Sequence, residues 1–160
     1  MRDAMDKNQV RILREKLRVL ERESGGVFGE EQDCCGVTMS QCHTLLEVGN
    51  RDRVSLVDLA AELSLDTSTL SRTVQGLVLL GLLDRRTDEG DRRYITIALT
   101  PQGCKVVAAI EEKYDTYFEA ILDRLPAGSQ TSIIESISAF VDAVRAHNES
   151  IGCCRPGRKS

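Results

Sequence analysis

The 160-residue chain has no tryptophan, three tyrosines and three phenylalanines, so aromatics make up only 4% of it. Stacking platforms for single-stranded nucleic acid are built from such rings, and their scarcity argues against one here. A surplus of positive charge is missing too: 21 Lys and Arg face 25 Asp and Glu, a formal net charge of −4. A general polyanion coat is thereby excluded, and any contact with nucleic acid has to come from a local basic patch. No apolar run approaches the roughly 18 residues that a membrane span needs. The opening stretch, MRDAMDKNQVRILREKL, is charged throughout and has no apolar signal-peptide core. A cytoplasmic protein with no membrane partner is expected. No CxxC spacing occurs, which removes zinc knuckles and thioredoxin-like motifs.

What is present is an ordinary globular balance, 41% hydrophobic and 29% charged, at the length of one domain with extended ends. Apolar periodicity gives mostly helices. Val10, Leu13, Leu17 and Leu20 line one face of a first helix that Gly25 and Gly26 should end, followed by a polar loop over residues 27–37. Thr38 with Gln41 three residues on reads as a capping box for a second helix, which Gly49 and Asn50 stop. Ser55 with Asp58 repeats the pattern for a short third helix. After a tight turn at Ser64, Leu65 and Asp66, a fourth helix runs from about Thr67 to Leu80, with Leu70, Val74, Leu77 and Leu80 inward and Gly81 at its C-cap.

The period then changes to two. Ile95, Ile97 and Leu99 alternate with Tyr94, Thr96 and Ala98 as a strand, Leu82 to Arg86 is its partner, and TDEGDR between them is a hairpin loop. Thr100 followed by Pro101 opens a long fifth helix to about Leu125. Pro126 to Ser129 break the chain before a last helix carrying Ile133, Ile137, Phe140 and Val144. The fold expected is mainly α with a small β-hairpin wing, a winged helix–turn–helix plus a helical dimerisation region. Residues 37–100 form the first of these. Residues 1–36 and 101–160, with the cysteine-containing tail, form the second.

Two short helices joined by a three-residue turn occur in many helical cores. Two additions point to DNA. The N-terminal half of the fourth helix presents Thr67, Ser68, Thr69, Ser71, Arg72 and Gln75, short hydroxyls, a guanidinium and an amide of the kind that reach phosphates and base edges. The hairpin is bracketed by Arg85, Arg86, Arg92 and Arg93, and arginines on a hairpin tip suit the negative potential of a narrow minor groove. Asp91, two residues before Arg93, is placed to hold that guanidinium extended.

The run SLVDLAAELSLDTSTLSRTVQGLVLLGLLDRRTDEGDRRYITIALTPQG, residues 55–103, resembles the winged helix–turn–helix of MarR-family transcription regulators. The resemblance extends over about residues 8–148. It implies a homodimer on a near-palindromic double-stranded DNA operator, with the first, fifth and sixth helices intertwined at the dimer interface. It also implies that Asp91 and Arg93 form the wing-tip pair and that Arg72 is the basic residue of the recognition helix. The chain departs from that pattern in one respect: Arg72 is the only basic residue of the fourth helix, where many relatives carry a second. The apolar stripes from Val10 to Leu20, Val107 to Leu125 and Ile133 to Val144 independently ask for a partner surface.

Six cysteines stand outside the family pattern, four of them in two vicinal pairs, Cys34–Cys35 and Cys153–Cys154. In a reducing compartment they are thiols. Vicinal cysteines bridge each other badly but can present two thiolates to one soft cation. Cys34 and Cys35 precede a helix N-terminus, which lowers thiol pKa. Cys42, just inside that helix, is a further candidate ligand or else a hydrophobic staple against Val37. Cys104 reads as a small filler.

The function expected is therefore a dimeric DNA-binding regulator, a repressor rather than an enzyme. It needs no cofactor, and its DNA binding is controlled through Cys34, Cys35, Cys42, Cys153 and Cys154 by a thiophilic metal or metalloid such as trivalent arsenic, or by oxidation. One alternative is a regulator of the same family that answers to a small phenolic or lipophilic ligand. Another is a thiol-based metal carrier or redox enzyme, disfavoured because no catalytic constellation accompanies the cysteines.

Overall fold

The computed structural model describes residues 6–28, 36–51, 53–87 and 95–152. The elements run α1 (Lys7–Phe28), α2 (Met39–Gly49), β1 (Val54–Ser55), α3 (Leu56–Glu62), α4 (Thr67–Leu79), β2 (Leu83–Thr87), β3 (Ile95–Leu99), α5 (Pro101–Leu122) and α6 (Ser129–Gly152). They divide into two compact units, Met1–Lys113 and Tyr114–Ser160.

In the first unit, local hydrogen bonds set where each helix begins. At α2 the capping box is complete: the Gln41 N–H donates to Thr38 Oγ1 at 3.4 Å, and the Thr38 N–H donates to Gln41 Oε1 at 2.9 Å. At α3 the Asp58 N–H donates to Ser55 Oγ at 3.0 Å, and at α4 the Thr69 N–H donates to Asp66 Oδ1 at 2.8 Å. These caps fix the helix starts, and burial then decides which faces turn in. Leu45 and Val48 of α2, Leu59 of α3, and Leu70, Val74 and Leu77 of α4 meet Ile97 of β3 and Ile110 of α5 in a core where each is 0% exposed. Each such aliphatic side chain contributes about 1.5–3 kcal/mol by leaving water.

The sheet is three-stranded and antiparallel in the order β1-β3-β2. β2 and β3 form the expected hairpin, with Leu83 opposite Leu99 and Arg85 opposite Ile97, so β2 begins one residue later than expected. β1 was not expected. Val54 pairs with Ile97 and Ser55 with Thr96. Two residues are too few to show a period, and their ladder partners lie some forty positions away.

Two further expectations are corrected. α1 passes through Gly25 and Gly26 to Phe28. A helical glycine costs only about 1 kcal/mol relative to alanine, and that penalty weakens a helix without ending it. Leu80 does not turn inward but is 51% exposed. It is the C-cap residue of α4, and three residues beyond Leu77 it lies roughly 60° around the helix, off the inner stripe. Gly81 follows it at φ 71°.

Two glycines mark close approaches. A Cβ on Gly76 of α4 would stand 3.1 Å from Gln41 Nε2, so the residue that closes the α2 cap also lies against α4. A Cβ on Gly103 would stand 2.1 Å from the Leu82 carbonyl oxygen. Around that carbonyl the Thr100 N–H donates to Leu82 O at 3.1 Å, the Thr100 hydroxyl donates to Gly81 O at 2.7 Å, and the Gly103 N–H donates to Thr100 Oγ1 at 3.0 Å. This corner ties the start of α5 to the base of the wing and confirms Thr100 as its cap.

In the second unit, the end of α5 turns into α6 at Pro126 to Gly128, where the Ser129 hydroxyl donates to Pro126 O at 2.7 Å and the Gln130 amide donates to Leu122 O at 3.0 Å. No described residue from 114 to 151 is buried. Ile137 is 56% exposed and Phe140 39%. α1 behaves alike: from Val10 to Leu20 its large apolar side chains range from 37% exposed at Val19 to 61% at Leu20.

Candidate nucleic-acid interface

Helix α4 has two faces because its inner stripe, Leu70, Val74 and Leu77, falls at spacings of four and three. Thr67, Ser68, Thr69, Arg72 and Gln75 are consequently exposed, while Ser71 is half-buried at the edge. The exposed hydroxyls are not equivalent. Ser68 Oγ donates to Asp66 Oδ1, and Thr69 Oγ1 donates to Asp66 Oδ2 at 2.6 Å. The Ser68 hydroxyl first, then the Thr69 hydroxyl and N–H, hold the Asp66 carboxyl far below the usual carboxylate range. The carboxylate is therefore ionised at any physiological pH and sits at the positive end of the helix dipole.

Those bonds commit the hydroxyl protons of Ser68 and Thr69 to the helix cap. Outwardly both present lone pairs, which suit base amino groups rather than phosphate oxygens. The donors that remain on the exposed face of α4 are Thr67, Arg72 and Gln75, and the two with reach are Arg72 and Gln75. The residue types alone could not separate these cases, since a serine at a helix start looks the same whether its proton points inward or outward.

On the wing, Arg85 is exposed and shares its row with Ile97. Arg86 is exposed and its Nε donates to Asp84 Oδ2 at 2.8 Å. Two further arginines that sequence reasoning passed over stand just before β1: Arg51, paired with Glu62 at 3.5 Å, and Arg53, exposed. They lay in what read as a plain loop, and only the pairing of β1 with β3 brings Arg53 beside the wing. The expected wing-tip residues Asp91, Arg92 and Arg93 lie outside the described residues.

So do Cys34, Cys35, Cys153 and Cys154. Cys42 is buried, 4% exposed, as is Val37, the two positions that a hydrophobic staple joins. Burial removes the access that a soft ion or an oxidant needs. Cys104 is exposed in the first turn of α5. Among the described residues no three His, Cys, Asp or Glu side chains gather as a metal site, and no helix is long and apolar enough to cross a membrane.

Three short helices closed by a β1-β3-β2 sheet, with the last helix polar on its outer face, define a winged helix–turn–helix protein. Residues 36–93 match the MarR family model. The chain is 22% identical over 105 residues to the HTH-type transcriptional regulator YdgJ of Bacillus subtilis (strain 168), a match that spans 66% of this chain and 64% of that protein. It superposes on a MarR transcriptional regulator from Methanosarcina mazei Go1 with a TM-score of 0.73 at 21% identity, covering 85% of this chain and 98% of that one. It superposes on the MepR protein of S. aureus, solved in complex with DNA, with a TM-score of 0.68 at 21% identity, covering 81% and 96%. The chain thus has the winged helix–turn–helix fold of these MarR-family proteins, and its residues 36–93 carry the family's sequence pattern.

Proposed function

We propose that the protein is a dimeric transcription regulator that binds a near-palindromic double-stranded DNA operator and represses from it. The observation that carries this reading is the two-faced α4: Leu70, Val74 and Leu77 are wholly buried, while Arg72 and Gln75 face solvent beside a wing bearing Arg85 and Arg86. A helix so mounted presents a rigid row of donors to a major groove, and the wing supplies guanidiniums for the adjacent minor groove. The DNA-bound state of MepR, a protein of the same fold, supports it. Repression follows because a dimer seated on a promoter occupies DNA that a polymerase needs.

Dimerisation is part of the proposal. The exposed apolar faces of α1 and α6 are what an obligate interface of more than about 2,000 Å² would cover. The test is a gel-shift and anisotropy series on duplexes from the chain's own upstream region. Tight, sequence-selective binding that Arg72→Ala weakens supports the reading, and wild-type binding no tighter than to random duplex overturns it.

Control through thiols is the second part. Cys34 and Cys35 stand four and three residues before the Thr38 cap of α2. A soft metal ion, a metalloid or a disulfide joining them to Cys153 and Cys154 would pull on the start of the helix whose Gln41 lies against α4. The buried Cys42 has no part in it. Arsenite, copper(I) or peroxide should release wild-type protein from DNA and leave the Cys34→Ser/Cys35→Ser variant bound. Equal release of both would replace the thiol input with a small phenolic or lipophilic effector.

A further inference from the structure

The outer face of the sheet carries a second basic feature. Residues paired across an antiparallel sheet share a face, and alternate rows face opposite ways. Val54, Ile97 and Arg85 form one row, and Val54 and Ile97 are core. The opposite face holds Ser55, Thr96 and Arg86 in one row and Ala98 and Asp84 in the next, which Arg53 extends from just before β1. Between them lies an open basin of about 110 Å³ lined by Arg53, Asp84, Arg86, Thr96, Ala98 and Leu99. Its lining is small at Ala98 and Thr96 and cationic at Arg53 and Arg86.

The charges of this basin are unequal. Arg86 is held by Asp84 at 2.8 Å, and nearby Arg51 is held by Glu62. Among the described residues Arg53 has no ion-pair partner. Among the described residues the basin is thus left with one guanidinium that no carboxylate holds, in a protein whose net charge is −4. A guanidinium beside small side chains suits an oxyanion, which takes its planar fork in a bidentate contact. Position selects which oxyanion. A hairpin whose tip enters a minor groove about 6 Å wide has the sides of its sheet against the phosphates that line that groove.

We propose that this basin seats one phosphate of the operator backbone, with Arg53 as the contacting group and Asp84 as a restraint on Arg86. The proposal rests on the DNA-binding reading. Arg53 adds affinity without base discrimination, because a phosphate carries no sequence. Asp84 acts in the opposite sense: its carboxylate occupies Arg86 and repels the incoming phosphate, so neutralising it strengthens binding.

The experiment measures anisotropy of the full-length protein on a random-sequence duplex of about 30 base pairs over a salt series, with Arg53→Ala, Arg53→Lys and Asp84→Asn beside wild type. Backbone contacts contribute to such non-specific binding, and the slope of log affinity against log salt counts them. Arg53→Ala should weaken binding about threefold to tenfold near 0.1 M salt and lower the slope by about one, Arg53→Lys should recover part of the loss, and Asp84→Asn should tighten binding. Wild-type affinity and slope in Arg53→Ala, or weaker binding by Asp84→Asn, overturns the proposal. The two variants are expected to move in opposite directions, which a general loss of folding cannot mimic. Failure of wild type itself to bind any duplex overturns the DNA-binding reading instead.

Discussion

Residues 38–110 and residues 114–152 carry apolar stripes of the same helical kind and use them in opposite ways. In the first stretch the stripes of α2, α3 and α4 close on one another and on Ile97 and Ile110, leaving eight aliphatic side chains wholly without solvent. In the second, Ile134, Ile137, Phe140, Val141 and Val144 repeat along α6 and all remain exposed. The difference is one of topology. Three short helices capped at sharp corners can surround a centre, whereas long helices joined by one turn each offer a flank that their own unit does not cover. The first region can be stable on its own chain's contacts, and the second leaves exposed the stripe that the proposed dimer would cover.

The comparison can be broken first from the exposed side. Ile137→Asp with Phe140→Asp should raise the dimer dissociation constant by roughly a thousandfold or more, since each large side chain contributes about 1.5–3 kcal/mol on burial. Sedimentation velocity at micromolar protein would show a monomer, while the first unit's near-native circular dichroism persists. From the closed side, Leu77→Ala should cost about 2–5 kcal/mol in chemical denaturation, as cavities do in a core that cannot collapse around them. Loss of that size from Ile137→Ala in a monomeric background would erase the distinction between the two regions.

The corner at the base of the wing sharpens the contrast further. Gly103→Ala sets a methyl against the Leu82 carbonyl and should destabilise by about 1–3 kcal/mol, read as a drop in melting temperature. The smallest effect is at the start of α4. The Asp66 carboxyl is lowered, so its stabilisation is present above the ordinary carboxylate pKa and fades as pH falls through the native value. The melting-temperature gap between wild type and Asp66→Asn should stay constant from pH 5 to 8 and narrow only below about pH 4. A gap that changes near neutrality would mean that the carboxylate is not held by Ser68 and Thr69.

Local chemistry was the legible part of this molecule. Thr38 with Gln41 and Ser55 with Asp58 announce helix starts because both partners of each hydrogen bond lie within four residues. β1 was illegible because Val54 and Ser55 find their partners in β3. The same distance hid Arg53, whose neighbours Asp84 and Arg86 reach it only across the finished sheet. The glycines of α1 misled for another reason: propensity is a small energy, and helix continuation outweighed it. On α4 the polar residues were readable as a face, but the roles of Ser68 and Thr69 depend on where two protons point.

Gln41 closes the cap of α2 with its carbonyl oxygen while its amide nitrogen rests against the place where Gly76 has no side chain. Over evolutionary time such an arrangement behaves as a single character spread over two positions. A bulkier residue at 76 displaces the amide and opens the cap, and a shorter residue at 41 leaves both the Thr38 N–H and the surface of α4 uncovered. Among related sequences the two positions should therefore drift as a linked pair. A descendant that lost the glycine would be expected to have rebuilt the start of α2 as well.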